Sequence, residues 1–161
     1  MKDVLTFCHG LTEQGFDAGA VLIAEGEKTD TLFVLIEGRI EVLKGSLQVF
    51  ETAEPGAVFG EMSALLDIPH TATVRTVVPS RVYVGSAARA FLKSRQEMTY
   101  CLSTLLAQRL HSVTTYLADL KVQFEDHSNH LGLVDEVLET LVHYQDEAFV
   151  PGSDRYPDTK I

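Results

Sequence analysis

The chain has 161 residues, of which 45% are hydrophobic, and a formal net charge of −10 from 13 basic and 23 acidic side chains. Its length is that of one globular domain with a small appendage, and its acidity argues against nucleic-acid binding, which relies on basic side chains at phosphates. No apolar run reaches the roughly 18 residues of a membrane span, and the first residues lack the pattern of a signal peptide. We therefore expect a cytoplasmic protein that binds neither DNA nor a membrane.

The first half of the chain, up to about residue 85, has the pattern of short β-strands separated by turns. Gly26, Gly38 and Gly45 lie between the β-rich runs, where turns need backbone angles that glycine adopts readily. Pro79 and Ser80 separate two such runs, which we interpret as a hairpin. Short strands at this spacing predict an antiparallel sandwich or barrel. The predicted strands span residues 20–24, 31–37, 39–44, 47–51, 74–78 and 81–84.

One segment of the β half has helical composition. Residues 60–66 favour a helix, and Asp67, Ile68 and Pro69 end it, because the residue before a proline disfavours helical angles. We therefore predict a short helix inserted between two strands. The N-terminus of a helix offers unpaired N–H groups to a phosphate. Gly60 has no side chain that would keep an anion away from the backbone, and Glu61 can accept a hydrogen bond from a sugar hydroxyl.

The second half of the chain has helical periodicity, beginning after Ser86, which we take as an N-cap. A helix over residues 96–126 would be roughly 45 Å long at 1.5 Å per residue, longer than the side of so small a domain. Its apolar seam therefore either mediates self-association or packs on the chain's own β domain; we favour a homodimer. The seam has coiled-coil spacing and consists of Leu106, Leu110, Val113, Leu117, Leu120 and Phe124.

Four segments follow from these patterns. We divide the chain into a β-rich domain over 1–85, a hinge and long helix over 86–126, a further amphipathic helix over 127–150 and a loose tail over 151–161. Cys8 and Cys101 suggest neither a disulfide framework nor a zinc site. His127 and His130 are one helical turn apart, but two ligands without a second motif are typical of a solvated face, so we predict no metal site.

At two motifs the sequence resembles the cyclic nucleotide-binding domain superfamily, which includes catabolite activator-type regulators. Phe59-Gly60-Glu61 and, after the short helix, Pro69-His70-Thr71-Ala72-Thr73-Val74 resemble the family's phosphate-binding cassette at its usual separation. We use "cassette" below for residues 59–74. The likeness runs from about residue 15 to 84 and, more loosely, to about 124. It implies an α+β fold: an antiparallel β-roll, jelly-roll-like, with a short inserted helix, then a long C-terminal helix and a second helix.

His70 is the main departure from the family pattern, because the family places at this position an arginine that grips the cyclic phosphate. Arginine is a permanently charged fork of donors, whereas histidine is often neutral at neutral pH, so the exchange could weaken binding by roughly 3 kcal/mol. In one interpretation a bound phosphate raises the pKa of His70 and pairs with the imidazolium. In the other, the cassette has kept its shape and lost its ligand. Arg75 lies five residues farther along a strand, too far to take over the role easily.

The resemblance also implies roles for other residues. We assign the phosphate to Gly60, His70, Thr71 and Ala72, the ribose to Glu61, and weaker ligand contacts to Met62, Ser63, Thr114 and Thr115. A hydroxyl at position 71 resembles the feature that favours guanine over adenine. Thr114 and Thr115 lie about where related dimeric regulators touch the purine with hydroxyls of the long helix.

We therefore expect a stand-alone regulatory sensor for cAMP or cGMP, with no other cofactor and no catalytic activity, because no nucleophile, acid–base or nucleotide-hydrolysis motif is recognisable. Relatives carry a winged-helix DNA reader after the long helix, and the residues that remain here are too few for one. The output would then be contact with another protein. The alternative is a degenerate fold that binds no nucleotide and serves as a protein-interaction scaffold.

Overall fold

The computed structural model describes residues 2–123 and residue 137. The chain divides into two compact units, Met1–Leu105 and Leu106–Ile161. The first contains every strand of the described residues. The elements in chain order are α1 (Lys2–Thr6), β1 (Thr12–Phe16), β2 (Val21–Ile23), β3 (Thr31–Glu37), β4 (Ile40–Lys44), β5 (Leu47–Thr52), β6 (Val58–Phe59), α2 (Glu61–Leu66), β7 (Thr73–Thr76), β8 (Ser80–Ser86), α3 (Ala88–Ser94) and α4 (Gln96–Gln123).

Two four-stranded antiparallel sheets form the first unit, in the orders β1-β8-β3-β6 and β2-β7-β4-β5. Apolar side chains of both sheets make up the core, since alternate residues of a strand face the same side. The core residues are Ile23, Phe33, Leu35, Ile40, Ala57, Phe59, Val74 and Val82. The predicted β-roll with a short inserted helix and a long C-terminal helix is confirmed.

The predicted hairpin around Pro79 is wrong. β7 belongs to one sheet and β8 to the other, so the chain crosses between the sheets at this point. Backbone contacts hold the crossing to the turn before β4, where the Val77 N–H donates to the Arg39 carbonyl at 2.8 Å. The Ser80 hydroxyl donates back to the Val78 carbonyl at 2.7 Å. Proline and serine indicated a turn, but the partner of each strand is set by tertiary packing.

The helical half begins differently from the prediction. Ser86 is the last residue of β8 rather than an N-cap, and α3 starts after Ala87, whose φ of 61° is left-handed. Arg95 separates α3 from α4, which begins at residue 96 as predicted. The described part of α4 reaches Gln123. Several predictions lie outside the described residues: Phe124, the end of the long helix at 126, the second helix and the tail. Within the second helix only residue 137 is described, and it is helical. No helix in the described part has the length and apolarity that crossing a membrane requires.

Candidate functional site

The first half of the cassette, residues 59–66, is positioned by backbone packing. Phe59 and Val58 of β6 pair with Phe33 and Val34 of β3, which aligns Gly60 beside the start of that strand. Gly60 has φ 87°, and a Cβ atom there would collide with the Thr31 carbonyl oxygen. Only glycine meets both conditions, because it alone adopts this φ without strain and has no Cβ. Gly60 is therefore required by the fold itself, whatever binds beside it.

The short helix α2 turns one face into the protein. Glu61 and Ser63 are buried, whereas Met62 is exposed. The helix ends at Asp67, whose φ is 58° and whose N–H donates to the Ser63 carbonyl at 3.0 Å. The predicted insertion of a helix and its end before Pro69 are thus confirmed.

Two cations hold Asp67 at the end of α2. Arg89 of α3 donates to its carboxylate at 2.7 Å, and Lys28 lies 2.9 Å from the same oxygen. These hydrogen bonds, with the Arg89 contact largest, lower the pKa of Asp67 to about 2. The Arg89 side chain also donates to the Ala64 carbonyl at 3.1 Å, so one residue of α3 secures the last turn of α2.

The second half of the cassette, residues 69–74, is attached to the loop between β2 and β3. The His70 N–H donates to the Glu27 carbonyl, and the Gly26 N–H donates to the His70 carbonyl, both at 2.8 Å. His70 is only 4% exposed, and its Nε2 shares a hydrogen bond of 2.6 Å with the Thr29 hydroxyl. Burial lowers the pKa of His70, and Glu27 acts weakly in the opposite direction. His70 is therefore a buried, hydrogen-bonded and neutral side chain near neutral pH.

The residues after His70 are held by the Lys44 side chain of β4 and by the backbone of the loop after β2. The Thr71 side chain is exposed, and its carbonyl accepts a hydrogen bond from Lys44 Nζ at 2.6 Å. Thr73 accepts a bond from the Glu25 N–H at 3.1 Å through its hydroxyl. Arg75 donates to the buried Glu41 carboxylate across the sheet, so its guanidinium is committed to that partner.

The residues predicted to bind the phosphate and the ribose therefore lie in one unit, at the N-cap of α2, in its first turn and on the loop that follows it. Thr114 and Thr115 lie in the second unit, where their hydroxyls donate to the carbonyls of Leu110 and His111 at 2.8 and 2.9 Å. Within the predicted seam of that unit, Leu106, Leu117 and Leu120 are half-buried, whereas Leu110 and Val113 are exposed.

Sequence reasoning missed the side chains that contact the cassette from elsewhere. Thr29 is 41 residues from His70, and Lys44 is 27 residues from Thr71. Neither belongs to a motif, and only the folded sheet brings them to the cassette. No group of three or more histidine, cysteine or acidic side chains in the described part of the chain has metal-binding geometry. Cys8 and Cys101 are both free, and burial raises the pKa of the Cys8 thiol to about 11.

Comparison with known proteins agrees with this geometry. The family model of the cyclic nucleotide-binding domain matches residues 13–93, just over half of the chain. The chain is 30% identical over 111 residues to the CRP-like cAMP-activated global transcriptional regulator of Mycobacterium tuberculosis, an alignment covering 65% of this chain and 50% of that protein. It is also 40% identical over 65 residues to the cAMP-dependent protein kinase regulatory subunit of Yarrowia lipolytica, covering 40% of this chain and 17% of that one.

The catabolite activator protein of Thermus thermophilus has a similar solved structure. Its TM-score is 0.59 at 19% sequence identity, and the match covers 78% of this chain and 60% of that chain. At this identity the likeness shows the fold alone. The chain spans about half the length of the Mycobacterium tuberculosis regulator that it matches. The family match over the β-roll, together with the fold, shows that the chain belongs to the cyclic nucleotide-binding domain family.

Proposed function

We propose that the chain is a sensor module that binds cAMP or cGMP at the cassette. Gly60, His70, Thr71 and Ala72 hold the cyclic phosphate, and Glu61 accepts a hydrogen bond from the ribose 2′-hydroxyl. The observation that carries the proposal is the intact backbone of the cassette, with Gly60 left-handed at the start of α2 and the 69–74 segment anchored to the β2–β3 loop. The names of the two relatives, one cAMP-activated and the other cAMP-dependent, support a cyclic nucleotide as the ligand.

The proposed activity is ligand binding rather than catalysis, and the module would act by contact with another protein. A ligand acts only through its different affinity for two conformations, and α4 is the element through which we expect the chain to meet a second copy of itself. We expect saturating nucleotide to change amide hydrogen exchange within residues 106–142. Unchanged exchange throughout that segment would contradict the signalling mechanism, while leaving nucleotide binding itself intact.

Homodimer formation through α4 is supported by the exposure of Leu110 and Val113, at 48% and 53%, on the heptad-spaced seam. Aspartates at both positions would place charges in an apolar contact. Sedimentation should show a dimer for the native chain and a monomer for the double variant Leu110→Asp, Val113→Asp. Ser112→Asp adds charge at an exposed position off the seam and should leave the dimer intact. A monomeric native chain would contradict the dimer.

A nucleotide-free scaffold is the second candidate, and one observation favours it. His70 is buried against Thr29 and its pKa is lowered, so the residue at the family's arginine position carries no charge near neutral pH. Such a side chain can serve the packing of the loop alone. In that case the fold would act through its surfaces and would bind no cyclic nucleotide.

Calorimetric titration with cAMP and with cGMP, at about pH 6 and about pH 8, separates these candidates. If phosphate raises the pKa of His70, binding takes up a proton, and affinity increases as pH falls through the bound-state pKa. The sensor proposal expects measurable binding of at least one nucleotide, and tighter binding at the lower pH would identify His70 as the group that takes up the proton. Absence of heat with either nucleotide at both pH values would contradict it and leave the scaffold.

A further inference from the structure

Lys44, at the end of β4, joins three segments around the second half of the cassette. Its ammonium lies 2.6 Å from Glu25 Oε1 and donates to the Thr71 carbonyl, also at 2.6 Å. The other carboxylate oxygen of Glu25 accepts the Gly45 N–H at 2.8 Å. The ammonium is thus fixed beside Thr71, the residue that directly follows His70, although it belongs to a different strand of the sheet.

The charge state of this cluster is set by its hydrogen bonds. The Lys44 hydrogen bond, and next the Gly45 N–H, lower the pKa of Glu25 and so favour its ionised carboxylate. An ammonium has three N–H donors, of which the described residues use two, at Glu25 and Thr71. The Lys44 side chain is 59% exposed, so a ligand can reach the third donor.

His70 and Lys44 therefore differ in what they can offer an anion at Thr71. The imidazole is buried and bonded to Thr29, whereas the Lys44 ammonium is accessible. We propose that Lys44 supplies the positive charge of the phosphate subsite, acting from β4 in place of a cationic residue at position 70. This inference rests on the proposed function and adds to it a ligand-binding residue from outside the cassette.

Neutralising the two members of the ion pair should change the Kd for nucleotide differently. Lys44→Met removes a charge-assisted hydrogen bond and should raise the Kd for cAMP and cGMP about tenfold. Glu25→Gln keeps an acceptor for the Gly45 N–H but removes the negative charge next to the ammonium, so the Kd should fall or stay unchanged. If Lys44 only clamps the loop, both variants weaken binding alike.

Calorimetric titration of the full chain with cAMP and cGMP, at low and at high salt, tests the inference. Lys44→Arg should restore affinity. Added salt should weaken binding to the native chain more than binding to Lys44→Met, because salt screens the exposed charge. The matched control is Lys93→Met, which removes an exposed lysine of α3 outside the cassette and the loops that hold it, and its Kd should not change.

Each outcome of the titration has one meaning. An unchanged Kd in Lys44→Met, or a loss in Glu25→Gln as large as the loss in Lys44→Met, overturns the role of Lys44 while nucleotide binding stands. A native chain that binds neither nucleotide overturns the proposed function, and the inference falls with it. Surface ion pairs contribute little to stability, so all these variants should unfold at nearly the native urea concentration, which excludes misfolding as the cause.

Discussion

The two halves of the cassette are held by different means. In the first half, residues 59–66, the shape follows from sterics: Gly60 is left-handed against the Thr31 carbonyl, and α2 is closed by a left-handed Asp67. In the second half, residues 69–74, the backbone is also anchored, but the imidazole of His70 is hydrogen-bonded to the Thr29 hydroxyl. The conformation of the cassette backbone is therefore separable from the charge of the side chain at position 70.

Gly60→Ala should disrupt the close packing of the first half of the cassette, with the largest effect on stability. The new Cβ would collide with the Thr31 carbonyl oxygen, and the fold would hold alanine at a left-handed backbone angle. Together these should lower the free energy of unfolding by about 3 kcal/mol, measured by urea denaturation.

Gly19→Ala is the matched control, because Gly19 has a similar φ of 80° and open space around its Cβ position. It should cost about 1 kcal/mol, the angular strain alone. Equal losses in the two variants would contradict the claim that close packing on Thr31 makes Gly60 obligatory.

His70→Arg tests whether the backbone of the second half can still present a cationic side chain to a phosphate. If the backbone has kept its shape, a guanidinium should add at least one charge-assisted hydrogen bond to phosphate and tighten the Kd for cyclic nucleotide about tenfold to a hundredfold. The measurement is calorimetry beside the native chain. His9→Arg adds the same charge at an exposed position and should change nothing. No gain at position 70 would mean that the second half has lost the shape as well as the charge.

Thr29→Val removes the hydroxyl partner of the buried imidazole. A buried polar group without a partner costs about 1–3 kcal/mol, so we expect the free energy of unfolding to fall by about 1–2 kcal/mol in urea denaturation. Thr29→Ser keeps the hydroxyl and should recover most of the loss. If serine and valine are equally destabilising, the bond to His70 is not what anchors the imidazole.

The pH dependence of stability should show the smallest effect. The pKa of His70 is lowered in the folded chain, so the unfolded chain binds the proton more tightly. The stability from neutral His70 is present above the unfolded pKa of about 6.5 and is lost as pH falls through the folded pKa. Urea denaturation at a series of pH values should show this decline in the native chain and less of it in His70→Gln. Identical profiles would contradict a buried neutral imidazole.

The sequence predicted what local chemistry determines. The short helix over 60–66 and its end before Pro69 followed from composition and from proline, and the start of α4 at residue 96 followed from periodicity. β1 was missed because its residues, Thr12–Phe16, are mostly exposed and carry no apolar alternation. The crossing after β7 was misread because strand pairing is not local.

The side chains around the cassette could not be predicted for the same reason. Thr29 meets His70 only because the β2–β3 loop lies against the second half of the cassette. Lys44 meets Thr71 because β4 pairs with β7, which aligns Leu43 with Thr73. Contacts between residues far apart in sequence depend on sheet register, which one sequence does not reveal. Motif reasoning therefore identified the backbone of the cassette and not the side chains that contact it from elsewhere in the chain.

Backbone amide chemical shifts, recorded while cAMP and then cGMP is added, report where a nucleotide binds as well as whether it does. Binding at the cassette should give the largest changes at Gly60, Glu61, Thr71 and Ala72, with smaller changes in the β2–β3 loop through His70. Amide shifts that stay constant at saturating nucleotide, or that change only outside residues 59–74, would contradict the claim that the cassette is a working nucleotide site.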